Sequence, residues 1–298
     1  MLSPRRTPPA SRRTGILLIL VSAVAFGLMP IFGSWSYAAG VDTQGLLIIR
    51  FSIAAAVMIV IMVWRGARWP RGKVLLGLAA MGGIGYAGQA FSYFTALQYA
   101  NAALAALLLY LYPAIVTVLS AWLLRERLRR RVWAALALAS LGLALTIGTA
   151  LQGKALGIAF GIAAALIYSC YILAGSRLTP RAGALPAATV VMLSAAVVMW
   201  GSTAFATPHW PANATGWAAT LAIAVVSTVI AIFAFLAGLD RMSAAEASTL
   251  STLEPVVSVL LAAWLLAVPL TALQWLGGAT ILIAALVISL APPLPAPE

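Results

Sequence analysis

The sequence predicts an all-α integral membrane fold, with ten transmembrane helices arranged as two inverted five-helix repeats around a central cavity. Three observations predict it. First, 63% of the 298 residues are hydrophobic and only 8% are charged, against about a quarter charged in soluble domains. The apolar residues fall in runs long enough to cross a bilayer as helices, and the roughly ten-residue alternating segments of a β-barrel are missing. Second, the lysines and arginines sort onto alternate connections. Third, the two halves match at one gapless offset of 142 residues.

In chain order, residues 1–13 (MLSPRRTPPASRR) are basic and proline-rich, and read as a disordered cytoplasmic leader. The apolar run that follows is too long for a signal-peptide core. The ten spans cover about 14–37, 44–64, 73–96, 102–124, 131–149, 155–177, 185–206, 215–238, 244–267 and 271–291. Residues 14–149 form the first repeat and 155–291 the second, and 292–298 form a short cytoplasmic tail. The connections are short and leave no room for a soluble domain.

Sixteen basic residues lie on one side: in the leader, after spans 2, 4, 6 and 8, and at the start of spans 3 and 5. The opposite side holds Lys154 alone, and Arg50 lies within span 2. By the positive-inside rule both termini are cytoplasmic. The net charge of +12 is therefore topological, and a nucleic-acid partner is not expected. The expected partners are the lipid bilayer and a small-molecule substrate, with the oligomeric state open.

The repeat aligns Pro113 with Pro255, Trp122 with Trp264, Ser52 with Ser194, and Trp133 with Trp275. Five spans per repeat is an odd number, so the second copy is inverted. The charges agree: the basic loops 65–73 and 125–131 correspond to 207–215 and 267–273, which carry no Lys or Arg. Inverted repeats are a common construction of secondary transporters, with substrate held between the halves.

Span 9 is the most polar, with Glu246, Glu254 and five hydroxyls, and Pro255 breaks its helical ladder. An ionisable group inside a span costs roughly 2.5–3.5 kcal/mol on insertion scales and suggests function by default. Glu254 reads either as a group that binds a substrate ammonium or carries a coupling proton, or as a structural carboxyl beside the proline break. Glu246 reads either as an inner-mouth group or as a helix-start carboxylate favoured by the dipole. Arg50, about a turn and a half into span 2, reads first as structural: snorkelling, or paired with Asp42 or a carbonyl. Attracting a carboxylate is its second reading. Tyr86, Gln89 and Tyr93 share one face of span 3 at i, i+3, i+7 spacing. With Tyr110, Tyr168 and Tyr171 they suit an aromatic cavity that orients a polar end, or plain helix packing. Tyr37 and Tyr99 fit the interfacial belt. The glycines of span 3 are read as packing sites.

The chain has one cysteine, Cys170, read as a small core residue, and one histidine, His209, in a loop. No metal or other cofactor is expected. An intramembrane lipid enzyme would need a catalytic set that these residues do not supply. Glu246 and Glu254 stand about 12 Å apart along a helix, too far for paired acid–base work. No P-loop pattern points to an ATP-driven pump.

Arg50-Phe51, Tyr112-Pro113 with Trp122 and Arg125-Glu126, and Leu253-Glu254-Pro255-Val256 carry a resemblance over residues 14–290. The chain resembles the drug/metabolite transporter superfamily in its ten-helix, EamA-type form, and looks most like the YddG-type amino-acid exporters. The Gly-Glu pair that often closes spans 4 and 9 in that family is only half kept, as Arg125-Glu126 and Ala267-Val268. The resemblance implies a basket of helices with a cavity lined by spans 1, 3, 4, 6, 8 and 9. It implies no enzymatic activity and alternating access without ATP, exporting small metabolites across a bacterial-type inner membrane. Amino acids, aromatic or otherwise apolar, are the first candidates, with drugs or other metabolites such as sugar nucleotides as the alternative.

Overall fold

The computed structural model describes residues 9–100, 102–124, 128–147, 153–265 and 270–290. The pairs Arg125-Glu126 and Ala267-Val268, and the tail 292–298, lie outside the described residues. Among the described residues ten helices are long and apolar enough to cross a membrane: Arg12–Ala38, Thr43–Trp64, Gly72–Ala96, Leu104–Leu123, Arg130–Ile147, Ala155–Ala182, Ala184–Ala204, Ala214–Leu239, Ala244–Leu265 and Ala272–Ser289. They are spans 1–10 below. The fold is all-α, two inverted five-helix repeats around a central cavity.

The repeats interlock through their first helices. Span 1 packs on spans 8 and 9 of the second repeat, and span 6 packs on spans 3 and 4 of the first. Spans 2 and 7 pair with each other, as do spans 5 and 10. The 5–10 crossing is close because it is glycine-lined: a Cβ on Gly277 would sit 2.4 Å from Thr146 Oγ1 and 2.5 Å from the Gly142 carbonyl oxygen. At Gly82 a Cβ would come within 2.1 Å of Ser194 Oγ and 2.2 Å of the Val191 carbonyl oxygen. The packing reading of that glycine follows, since any side chain would push span 3 off span 7.

Five spans are interrupted. Pro30 follows the break at Leu28 in span 1, and Pro113 follows the turn at Tyr110–Leu111 in span 4. Pro255 follows Thr252 in span 9. Each proline removes one ladder bond and crowds the preceding turn. Spans 3 and 8 instead carry π-helical segments, Met81–Tyr86 and Val225–Ile230. Such bulges widen the helix by one residue and turn the side chains that follow onto a new face.

Asp42, Asn213, Ser243 and Thr271 cap the starts of spans 2, 8, 9 and 10, each contributing about 1 kcal/mol. The leader reading needs correction at its end. The first helix starts at Pro9, so residues 9–13 are helical rather than disordered, and Arg12 is 7% exposed. Cys170 is also corrected: it is exposed on the outer surface of span 6 rather than in the core. Its neighbours Ser169 and Tyr171 are the buried ones, and in a helix this apolar, Cys170 alone does not say which side faces inward.

Candidate functional site

One cavity of about 330 Å³ lies between the repeats. It reaches from mid-bundle toward the face opposite the termini, since Ala106, Thr146 and Ile147 at that end of spans 4 and 5 line it. The half toward the termini is filled by the main core, which includes Ile19, Leu78, Val116, Leu236 and Leu250.

Six of the seven residues singled out for substrate contact come together on the wall: Tyr86, Gln89, Tyr93, Tyr110, Tyr168 and Glu254. Their ring neighbours form a continuous shelf. Tyr86 lies tilted against Tyr171 at 5.7 Å, Tyr171 stacks on Tyr168 at 5.7 Å, Tyr168 meets Tyr112 edge-on at 4.7 Å, and Tyr112 lies 6.0 Å from Tyr110. Offset and edge-on pairs at these distances are favourable beyond their area burial. The Tyr112 and Tyr171 hydroxyls are buried without a hydrogen-bond partner. The Tyr110 hydroxyl faces the Glu254 carboxylate.

Glu246 does not reach the cavity. It is 3% exposed and its Oε1 accepts from Arg12 Nη2 at 2.7 Å. Its Oε2 closes the capping box with Ser243, whose Oγ accepts from the Glu246 N–H at 3.1 Å. Arg12 also donates to the carbonyl oxygens of Ile288 at 2.8 Å and Ser289 at 3.4 Å. This cluster joins spans 1, 9 and 10 at the end of the bundle that carries both termini.

Arg50 takes other partners than its first reading gave it. It does not pair with Asp42, which caps Gly45 N–H at 2.7 Å and meets His209 Nδ1 at 3.1 Å. Its side chain turns inward, is 4% exposed and borders the cavity. Nε donates to Thr228 Oγ1 at 2.7 Å and Nη2 donates to the Tyr86 hydroxyl. The guanidinium carbon lies 5.1 Å from the Phe51 ring centre and 5.4 Å from that of Tyr86. Both hydrogen-bond partners sit in π segments, and Tyr86 and Thr228 are equivalent positions at the 142-residue offset. Thr228 spends its own proton on the Ile223 carbonyl at 2.9 Å, which leaves its oxygen free to accept from Arg50.

The lining differs from the expected set of spans. Span 2 enters through Arg50 and span 5 through Thr146 and Ile147, while span 8 stands one layer back, behind Arg50, through Thr228. Span 1 contributes Phe26, Met29 and Pro30 at its break, which sequence reasoning missed. The signal was present: Phe26 is the repeat partner of Tyr168, and Met29 of Tyr171.

A ten-span bundle of inverted repeats, broken at prolines and π bulges around an aromatic mid-membrane cavity, defines a membrane transporter. The chain belongs to the EamA-like transporter family, which matches residues 13–148 and 155–290, within the drug/metabolite transporter superfamily. It is 26% identical over 289 residues to an uncharacterized inner membrane transporter, YicL, of Salmonella typhimurium, covering 94% of this chain and 96% of that one. It is 32% identical over 187 residues to the aromatic amino acid exporter YddG of Ancylobacter novellus, covering 59% of this chain and 63% of that one. A crystal structure of a protein 26% identical to it superposes with a TM-score of 0.83, covering 93% of this chain and 98% of the other.

Proposed function

We propose that this transporter is a secondary carrier that exports small metabolites, amino acids with aromatic or other apolar side chains first among them, by alternating access. The observation that carries this reading is that the tyrosine shelf, Gln89 and Glu254 line one cavity. The rings offer apolar area and π faces to an organic side chain, and an ammonium is favoured beside both the rings and a carboxylate. The likeness to an aromatic amino acid exporter supports the same substrate class.

The sorting of the basic residues supports an orientation with both termini in the cytoplasm of a bacterial-type inner membrane. The cavity then lies in the outer half, with the inner half closed. A sugar-nucleotide substrate is disfavoured, since such an anion calls for several cavity cations and Arg50 is the arginine on this wall.

The test is uptake and counterflow of labelled amino acids in proteoliposomes, with and without a pH gradient. Saturable flux, competed by aromatic amino acids, is expected. No flux with any amino acid from folded protein would move the substrate to other metabolites or drugs.

A further inference from the structure

We infer that Arg50 and Glu254 form a two-ended clamp for a zwitterion, Arg50 taking the carboxylate of the substrate and Glu254 its ammonium. The inference rests on the amino-acid reading above and assigns the two charges of that substrate to particular side chains.

Arg50 is a charged group carried into a membrane interior, where an ionised side chain calls for a partner. The partners that hold it are neutral: a threonine hydroxyl and a tyrosine hydroxyl. These use two of its five N–H donors. Arg50 borders the cavity and is otherwise buried in its wall. A planar fork held this way matches a carboxylate in two-point geometry, which an ammonium on a flexible stem would not. Its orientation is fixed from both repeats at once, through Tyr86 and Thr228, so it is organised before substrate arrives.

Glu254 enters the same cavity from the other repeat, at the start of the second half of broken span 9. The site therefore presents one positive and one negative group. A simple amine meets Arg50 as a like charge, and a simple carboxylate meets Glu254 as one. A zwitterion satisfies both, and neither charge of the protein is left buried without its counterpart. The tyrosine shelf, from Tyr86 through Tyr168 to Tyr110, is left for the side chain.

The experiment is binding to the purified full-length protein in nanodiscs of three probes of one shape: L-phenylalanine, phenethylamine and 3-phenylpropionate. The wild-type protein should bind phenylalanine more tightly than either single-charge analogue, on the order of 10–100-fold. Arg50→Gln should erase the preference over phenethylamine, and Glu254→Gln should erase the preference over 3-phenylpropionate. Arg50→Lys should restore part of the first. The comparison of probes on the wild-type protein decides the matter even if a variant does not fold. Phenylalanine binding with no discrimination against the analogues, or discrimination kept in folded Arg50→Gln, overturns the clamp and leaves the amino-acid reading standing. No binding of phenylalanine to folded wild-type protein overturns both.

Discussion

Removing Arg12 should destabilise the protein by about 3–5 kcal/mol, the usual cost of stranding one member of a buried ion pair. Arg12 and Glu246 meet at 2.7 Å with side chains 8% and 4% exposed. At an effective dielectric constant near 20 their attraction is about 6 kcal/mol, which offsets a desolvation cost of several kcal/mol for each ion. The intact pair therefore contributes little net. In Arg12→Met, however, Glu246 keeps only its capping contacts at 3.3–3.4 Å, and the Ile288 carbonyl loses its side-chain donor. The double variant Arg12→Met/Glu246→Met should recover much of the loss, because the stranded Glu246 carboxylate is then removed as well. Thermal or denaturant unfolding in bicelles, run as a double-mutant cycle, measures this. Single variants costing under about 1 kcal/mol, or a double variant equal to the sum of the two, would show that water reaches the pair and that neither ion is stranded by loss of the other. The pair also joins the repeats at the closed end. A cysteine at Ser248, now buried behind it, should label faster from that end in Arg12→Met, since removing an interaction made in the closed state shifts the population toward the open one.

Glu254→Gln should slow transport at least tenfold with little change in unfolding midpoint, and unchanged flux would make the carboxyl structural. Gly82→Val should destabilise by more than about 1–3 kcal/mol, the range for overpacking, because the added atoms meet backbone at 2.2 Å; a silent Gly82→Val would show that spans 3 and 7 separate easily. Burial pushes the Asp42 carboxyl up, but hydrogen bonds from Gly45 and His209 outweigh it and hold the group below the usual carboxylate range. Its cap is therefore complete above about pH 4 and is lost as pH falls through the lowered value. Asp42→Ala should cost about 1 kcal/mol at neutral pH and progressively less in acid, and a pH-independent cost would sink the assignment. With Cys170 replaced by serine, a cysteine introduced at Arg129 should resist an impermeant thiol reagent in intact cells, and labelling there would reverse the topology.

The span count and the repeat were legible because both rest on long-range averages: apolar length, basic sorting and a constant offset that pairs prolines and tryptophans. The span 3 tyrosines were legible as well, because Tyr86, Gln89 and Tyr93 lie after the π segment or at its end, where ordinary helical spacing applies. What failed depended on rotation about a helix axis or on distant partners. Glycines mark the π segment Met81–Tyr86 but not Val225–Ile230, and the partners that hold Arg50 lie in those segments, 36 and 178 residues away in the chain. Arg12 and Glu246 are 234 residues apart. No local pattern pairs them, and the proline-rich composition around Arg12 argued for disorder.

The repeat and its exceptions divide the labour between scaffold and site. Most of the mechanical parts are kept at equivalent positions: Pro113 and Pro255 break spans 4 and 9, and π segments break spans 3 and 8; span 1 is the exception, because its Pro30 pairs with Ile172 in the continuous helix of span 6. Tyr168 and Phe26 face the same cavity from spans 6 and 1. The charged positions are single-copy. Arg50 has the buried Met192 as its repeat partner, Glu254 has Tyr112, and Glu246 has Leu104. In the alternating access proposed above, these paired breaks let an inverted pair of repeats exchange conformations, so that opening on one side mirrors closing on the other. A symmetric set of charges would place two like groups near the axis and repel whatever carried that sign. One arginine and one glutamate, drawn from different repeats, instead give the axis a direction. On the proposed clamp that asymmetry sets how a bound zwitterion lies, while the paired breaks of the two repeats serve its release.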